Sequence, residues 1–304
     1  MYLLSKLPRS LKTKLRAVHS DARQLLVRAF LSYDAERLAA CLRSLGIEHG
    51  DNLMLHSAFA AHYGFRGTIT ELTDVFLDAI GSEGNLLMVS LPYRSSSLEY
   101  LTSLKSFDVR KTPSMMGLVS EYFRRRPYVV RSLHPTHPVL ASGPGANWII
   151  AEHSTCLYPC GPASPFERLH ALDGKAVFFN VPLDTLTFFH YLEHLVSPDL
   201  PFALYTEKPF KVPVINRAGE RTVVSTYAFT LEAIRRRRFQ VLEKELKSRG
   251  LIRERRLGNS RIIMVHLRDV VDCVQDMRGR GRYFYDMADL SRPSRISSTL
   301  TGEA

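Results

Sequence analysis

The feature that most constrains the fold is an alternation near the start of the chain: NLMLH (52–56), the amphipathic stretch ITELTDVFLDAIG (69–81), then NLLMVSL (85–91). The two short runs are apolar at successive positions rather than at every second one, so both of their faces must be covered. The stretch between them repeats its apolar residues every three to four positions, as a helix lying on a sheet does. Strands covered on both sides, with helices between them, define an α/β layered fold. At 304 residues and 45% apolar content the chain is long enough to bury such a core.

Further along, Asp34 is placed to cap a helix over AERLAACLRSLGI. Residues 92–112 read as a loop, and a helix is expected to open at Thr112-Pro113-Ser114, since proline suits a first turn. An extended piece runs through RSLHPTHPVLAS, with helices at about 145–153 and over SPFERLHAL (164–172). KAVFFNV (175–181) reads as a buried strand feeding a helix from about 184 to 196, and that junction is the expected active site. Beyond Pro201, alternation over 203–228 predicts antiparallel strands, followed by one long helix from about 230 to 249. A hairpin turning at Gly258-Asn259 and a last helix complete the pattern. The expected division is a basic helical arm (1–33), a main domain (34–289) whose C-terminal subregion is 201–289, and a disordered tail (290–304).

Lys and Arg outnumber Asp and Glu by 41 to 30, a balance that ordinarily points to nucleic acid or anionic surfaces. The excess is concentrated in residues 1–33 and in 235–261, which opens with Arg235, Arg236, Arg237 and Arg238, so it is expected to lie outside the core. No apolar run approaches the roughly 20 residues of a membrane-spanning helix. Cys41, Cys156, Cys160 and Cys273 form neither a metal-finger pattern nor a disulfide framework, which fits the reducing cytoplasm. The acid-poor start permits an organelle transit peptide, but a basic amphipathic helix is the preferred reading.

The chemistry concentrates in Thr187-Phe-Phe-His190-Tyr-Leu-Glu193. Spacings of three bring Thr187, His190 and Glu193 near one face of a helix. An imidazole titrates in the range needed to take a proton from an amine, and a carboxylate beside it would orient the ring. Read alone, a histidine on a helix is more often structural.

Five ordered blocks resemble the aminoglycoside 3-N-acetyltransferase family: DNLMLHSAF, FDVRKTPSMMGLVSEYFRRRP, VRSLHPTHPVLASGPGA, GPASPFERLHALDGKAVFFNV and TFFHYLEHL. The resemblance implies an α/β/α sandwich with a C-terminal antiparallel and helical subregion. It also implies acetyl-CoA as acyl donor and the amino group of an amino sugar as acceptor, with no metal. It casts His190 as general base, Glu193 as its orienting partner or a ligand for the substrate's ammonium, and Thr187 as a contact to the acetyl group. Coenzyme A would lie against His56, Ser57, Ala58, Phe59, Ser114, Met115, Arg131 and Thr136, with His134 and His137 nearby. Tyr93 and Asp108 would join Glu193 on the acceptor.

Two departures matter. Pro138 stands where the family usually has serine, so the hydroxyl contact to the cofactor is either missing or supplied by Thr136. Leu157, Tyr158, Pro159 and Cys160 stand where the family is often acidic, which disfavours a polycationic aminoglycoside and shifts the expected acceptor to a nucleotide-linked amino sugar. Two rivals rank far behind. HYLEH (190–194) matches an inverted zinc-peptidase pattern, and the Arg235–Arg238 run with the following hairpin resembles a winged helix. Neither a metal nor a nucleic acid is expected, and the assembly is expected to be a monomer or homodimer.

Overall fold

The computed structural model describes residues 25–288. The expected transit peptide or basic helix over residues 1–20 and the expected tail over 290–304 lie outside the described residues; of the basic arm, 25–30 are helical. Ten strands follow: β1 (Asn52–Ser57), β2 (Asn85–Val89), β3 (Phe107–Asp108), β4 (Val130–Arg131), β5 (Val139–Ser142), β6 (Lys175–Phe179), β7 (Phe210–Ile215), β8 (Arg221–Thr226), β9 (Arg253–Leu257) and β10 (Ser260–His266). The helices are α1 (Ala35–Ser44), α2 (Ile69–Ile80), α3 (Ser97–Ser103), α4 (Leu118–Arg124), α5 (Ala146–Ile150), α6 (Pro165–Ala171), α7 (Phe189–Val196), α8 (Leu231–Arg236), α9 (Phe239–Ser248) and α10 (Leu267–Gly279).

Seven strands form one mixed sheet in the order β4-β5-β2-β1-β6-β10-β9, with β1 parallel to both β2 and β6. Alternate residues of the central strands feed two separate apolar clusters. Met54, Leu87, Ala176 and Phe178 pack with α6, α7 and α10 on one face, while Leu53, Leu55, Leu86, Met88 and Phe179 pack with α1 and α2 on the other. That division is the α/β/α sandwich. Asp34 caps α1 through the Arg37 amide, and Thr68 with Glu71 forms a reciprocal capping box on α2, so both helices start where free amides find an acceptor.

The C-terminal subregion divides between two sheets. β9 and β10 complete the large sheet, whereas β7 and β8 join β3 in a separate three-stranded sheet. RSLHPTHPVLAS is not one extended piece: it folds back as β4 and β5, with 132–138 as the connection. The helix expected from Thr112 opens only at Leu118, behind Gly117, and Ser114 and Met115 precede it. The long helix expected over 230–249 is broken, because Arg237 is extended (φ −56°, ψ 134°) and bridges to Tyr285.

Candidate active site

At the C-terminal ends of β1, β2 and β6 the parallel strands end together and their turns enclose a cavity of about 450 Å³. Ligand crevices commonly form at such edges. Its walls include His56, Ser57, Met115, Gly117, Val181 and Thr187. After β6 the chain turns sharply at Asn180 (φ 62°), a left-handed conformation that asparagine tolerates, and Asn180 Oδ1 accepts the Arg261 amide at 3.1 Å. That corner redirects the chain into a short 3-10 turn, Leu183–Thr185, and then α7.

Thr187 therefore precedes the helix instead of sharing its face. Its carbonyl accepts the His190 amide at 3.0 Å, and its side chain faces the cavity. His190 does not line that cavity; its side chain remains 21% exposed and packs edge-on against His137 and tilted against Phe229. Nδ1 of His190 lies 2.7 Å from Glu193 Oε2. A carboxylate at that nitrogen selects the tautomer with the proton on Nδ1 and leaves Nε2 with its lone pair. Burial pulls the His190 pKa down and outweighs the opposing pull of Glu193, so the ring is neutral at neutral pH.

Glu193 itself is fully buried. Arg237 Nε donates to Oε1 at 2.5 Å and a terminal Arg237 nitrogen donates to Oε2 at 3.0 Å, while the Tyr285 hydroxyl donates to Oε1. Burial alone would raise this carboxyl's pKa; the Arg237 charge and the bonds from His190 and Tyr285 reverse it, and Glu193 stays ionised below the usual carboxylate range. With both oxygens occupied and no accessible surface, Glu193 has no face for a substrate ammonium, which corrects that part of the expectation. The Arg235–Arg238 run is corrected too: Arg237 reaches Glu193, and Arg236 is buried over the Phe202 ring with bonds to the Asp286 and Ala288 carbonyls. The helix break at Arg237 makes this possible, and sequence periodicity gave no signal for it.

The residues expected around coenzyme A separate into two groups. His56, Ser57 and Met115 line the cavity, and His56 stacks on Phe178 with a 5.0 Å centroid separation. Burial lowers the His56 pKa to about 4, and its Nε2 is buried without a partner among the described residues. The other group is engaged elsewhere. The Ala58 amide donates to the Phe179 carbonyl at 2.9 Å, Phe59 packs into the cluster under α1 and α2, and the Met115 amide donates to the Leu91 carbonyl. The Ser114 amide donates to Glu121, and its hydroxyl pairs with Ser120 at 2.9 Å. In the segment 112–115 the amides of Thr112, Ser114 and Met115 are all taken up within the fold, whereas in the loop after β1 only that of Ala58 is, among the described residues.

Thr136 is completely buried between His134 and His137, and Arg131 is 9% exposed, with its terminal nitrogens on the carbonyls of Thr112 (2.5 Å) and Ser90 (2.8 Å). Neither lines the strand-end cavity, and the bonds each makes are to neighbouring groups of the fold. Asp108 Oδ1 accepts the amides of Arg110 and Lys111, holding a turn after β3. Tyr93 is partly buried against His137 and Tyr100, within reach of the His190 surroundings through His137. His194, the second imidazole of HYLEH, turns to the Tyr205 hydroxyl at 3.2 Å, away from the His190–Glu193 pair. Within the non-acidic stretch 157–160, Tyr158 stacks on Tyr227 and packs on Tyr205 and His194. Tyr205 in turn meets Phe229, which touches His190, so an aromatic wall runs up to the imidazole.

A sandwich with a histidine held by a buried glutamate, three residues on from the wall of a strand-end cavity, belongs to a class that known proteins define further. The profile of the family described as Aminoglycoside 3-N-acetyltransferase matches residues 54–278. The chain is 28% identical over 281 residues to aminoglycoside N(3)-acetyltransferase VII of Streptomyces paromomycinus, covering 83% of this chain and 93% of that protein. It is 30% identical over 244 residues to aminoglycoside N(3)-acetyltransferase IV of a Salmonella species, covering 79% and 85%. Among solved structures it superposes on the AAC(3)-IVa apoenzyme with a TM-score of 0.67 at 26% identity, covering 86% of this chain and 93% of that one. It also superposes on AAC-IIIb in a binary complex with CoASH, with a TM-score of 0.68 at 24% identity, covering 84% and 99%. The chain belongs to the aminoglycoside 3-N-acetyltransferase family, and it is an acyltransferase.

Proposed function

We propose that this protein transfers the acetyl group of acetyl-CoA to the 3-amino group of an aminoglycoside, with His190 as general base. The observation that carries the reading is the chain of contacts from Arg237 and Tyr285 through Glu193 to His190 Nδ1, beside the cavity whose wall includes Thr187. An amine attacks a thioester only as its neutral form. His190 Nε2 takes the amine proton as the new N–C bond forms; the C–S bond then breaks, and the proton passes to the departing sulfur to give free coenzyme A. Ionised Glu193 stabilises the transient imidazolium, and Arg237 with Tyr285 keeps that carboxylate charged and fixed. The acceptor assignment rests on the names of the relatives, which favour aminoglycosides over the nucleotide-linked amino sugar expected from the missing acidic stretch. The partly buried rings of Tyr158 and Tyr205 offer aromatic surface to ammonium groups in place of carboxylates, while the Phe229 ring is buried and already carries the Arg237 guanidinium.

Release of free thiol from acetyl-CoA should appear with kanamycin-like aminoglycosides and be absent or far slower with nucleotide-linked amino sugars; the reverse order would overturn the acceptor. His190→Ala is expected to lower turnover by roughly a hundredfold or more. Near-full turnover in that variant would remove His190 from the mechanism. Ser57→Ala should weaken coenzyme A binding more than aminoglycoside binding, read by titration calorimetry of each ligand separately.

A further inference from the structure

A second and larger cavity, about 780 Å³, opens beside edge strand β4, between the C-terminal end of α4, helix α5 and the β7–β8 turn. Its lining shares no residue with the strand-end cavity: Gly117 and Ser120 at the start of α4 face that one, and Arg124 and Arg125 at its end face this one. Five arginines line it, Arg110, Arg124, Arg125, Arg131 and Arg217, and no acidic residue does.

The bland reading is that these arginines tie down backbone. Arg217 donates to the Val129 carbonyl at 3.0 Å, Arg131 to those of Thr112 and Ser90, and Arg124 to that of Arg110. Carbonyl oxygens satisfy N–H groups but carry no net charge, so the guanidinium charges remain. Glu121 offsets part of this, pairing with Arg124 at 2.7 Å and Arg125 at 2.8 Å. Arg110, Arg131 and Arg217 have no carboxylate partner among the described residues. Arg131 Nε is buried with no hydrogen-bond partner among them, and burial, reinforced by the Arg124 charge, brings the Arg131 pKa down to about 9. The excess of like charge left around the cavity attracts an anion, and guanidinium geometry suits phosphate oxygens. Val129, Val130 and Ile150 supply an apolar floor, and the volume falls in the range of small-molecule sites. A polycationic acceptor is repelled here.

We infer that this cleft binds a small organic phosphate, a molecule of mononucleotide size whose phosphate meets the arginines and whose body rests on the apolar floor. The probe is AMP, titrated calorimetrically into the full chain at low salt, with adenosine as the uncharged control and with coenzyme A saturating in a parallel run. Arg110→Glu reverses an exposed charge that holds no bond in the fold, and Arg217→Gln serves as the second variant. The expected result is one AMP per chain in both runs, no heat from adenosine, and affinity weakened at least about tenfold by either substitution while coenzyme A affinity stays within twofold. The inference is overturned if AMP and adenosine behave alike, if both variants bind AMP as the native chain does, or if coenzyme A displaces AMP one for one. In the last case these arginines would serve the coenzyme itself. A thermal melt matching the native chain's confirms that each variant is folded.

Discussion

Burial and charge at a few side chains set the behaviour of the site. Glu193 has no contact with water, and an ion in that position persists only if its neighbours replace what water supplied. His190, Arg237 and Tyr285 do so from three directions. Arg237→Gln leaves the carboxylate without its cation, and such a loss typically destabilises by about 3–5 kcal/mol. Chemical denaturation of the variant should register that drop, and a change of less than about 1 kcal/mol would mean the pair is hydrated. The same contacts fix the pH dependence of turnover. His190 is held below its ordinary 6.5, so the rate at saturating substrate should rise with pH along a limb centred below that value and be flat through neutrality. A limb centred near 8 would point to a different base.

Elements differ in how much of themselves they declare. The helix after β6 and the strands around it were legible because their periodicities are local, and β1, β2, β6 and α2 fall within one or two residues of their expected bounds. The segment 112–118 was misread because Thr-Pro-Ser satisfies the local grammar of a helix start. Tertiary partners decided otherwise, since Glu121 takes the Ser114 amide and Leu91 takes that of Met115. The β9–β10 hairpin follows its turn residues closely. Gly258 has φ +55°, and a Cβ there would collide with the Leu31 carbonyl oxygen. Gly258→Ala should therefore cost more than the roughly 1 kcal/mol of an unfavourable backbone angle alone, visible as a lowered unfolding midpoint. Parity with the native chain would show that the contact with 31–33 yields easily.

Across the whole molecule, buried imidazoles make acid the weak side. Burial lowers His56 and His153 to about 4 and holds His134 and His137 well below 6.5. Unfolding exposes them to water, where each takes a proton near pH 6.5, so below that value the unfolded chain binds more protons than the folded one. Stability contributed by these groups is complete above about 6.5 and falls as pH drops toward the folded values, by roughly 3 kcal/mol for each of His56 and His153 at pH 4. Melting temperatures measured from pH 8 to 4 should decline steadily below 6.5, and a plateau across that interval would mean these rings are solvated. Glu193 adds to the same trend, since its lowered pKa makes it resist protonation until the solution is strongly acidic.

The sequence by itself determined the layers, the order of the central strands' building blocks, and the position of His190 and Glu193 one turn apart, because periodicity and i,i+3 spacing are written locally. It also carried the family through the order of its motifs. Only the tertiary structure decided that Arg237 and Tyr285 hold Glu193, that Thr136 is buried between two histidines, and that five arginines from four separate segments surround one cleft. Those contacts join residues far apart in the chain, and they arise where burial leaves a charge with a single way to be satisfied, a condition that no local pattern encodes.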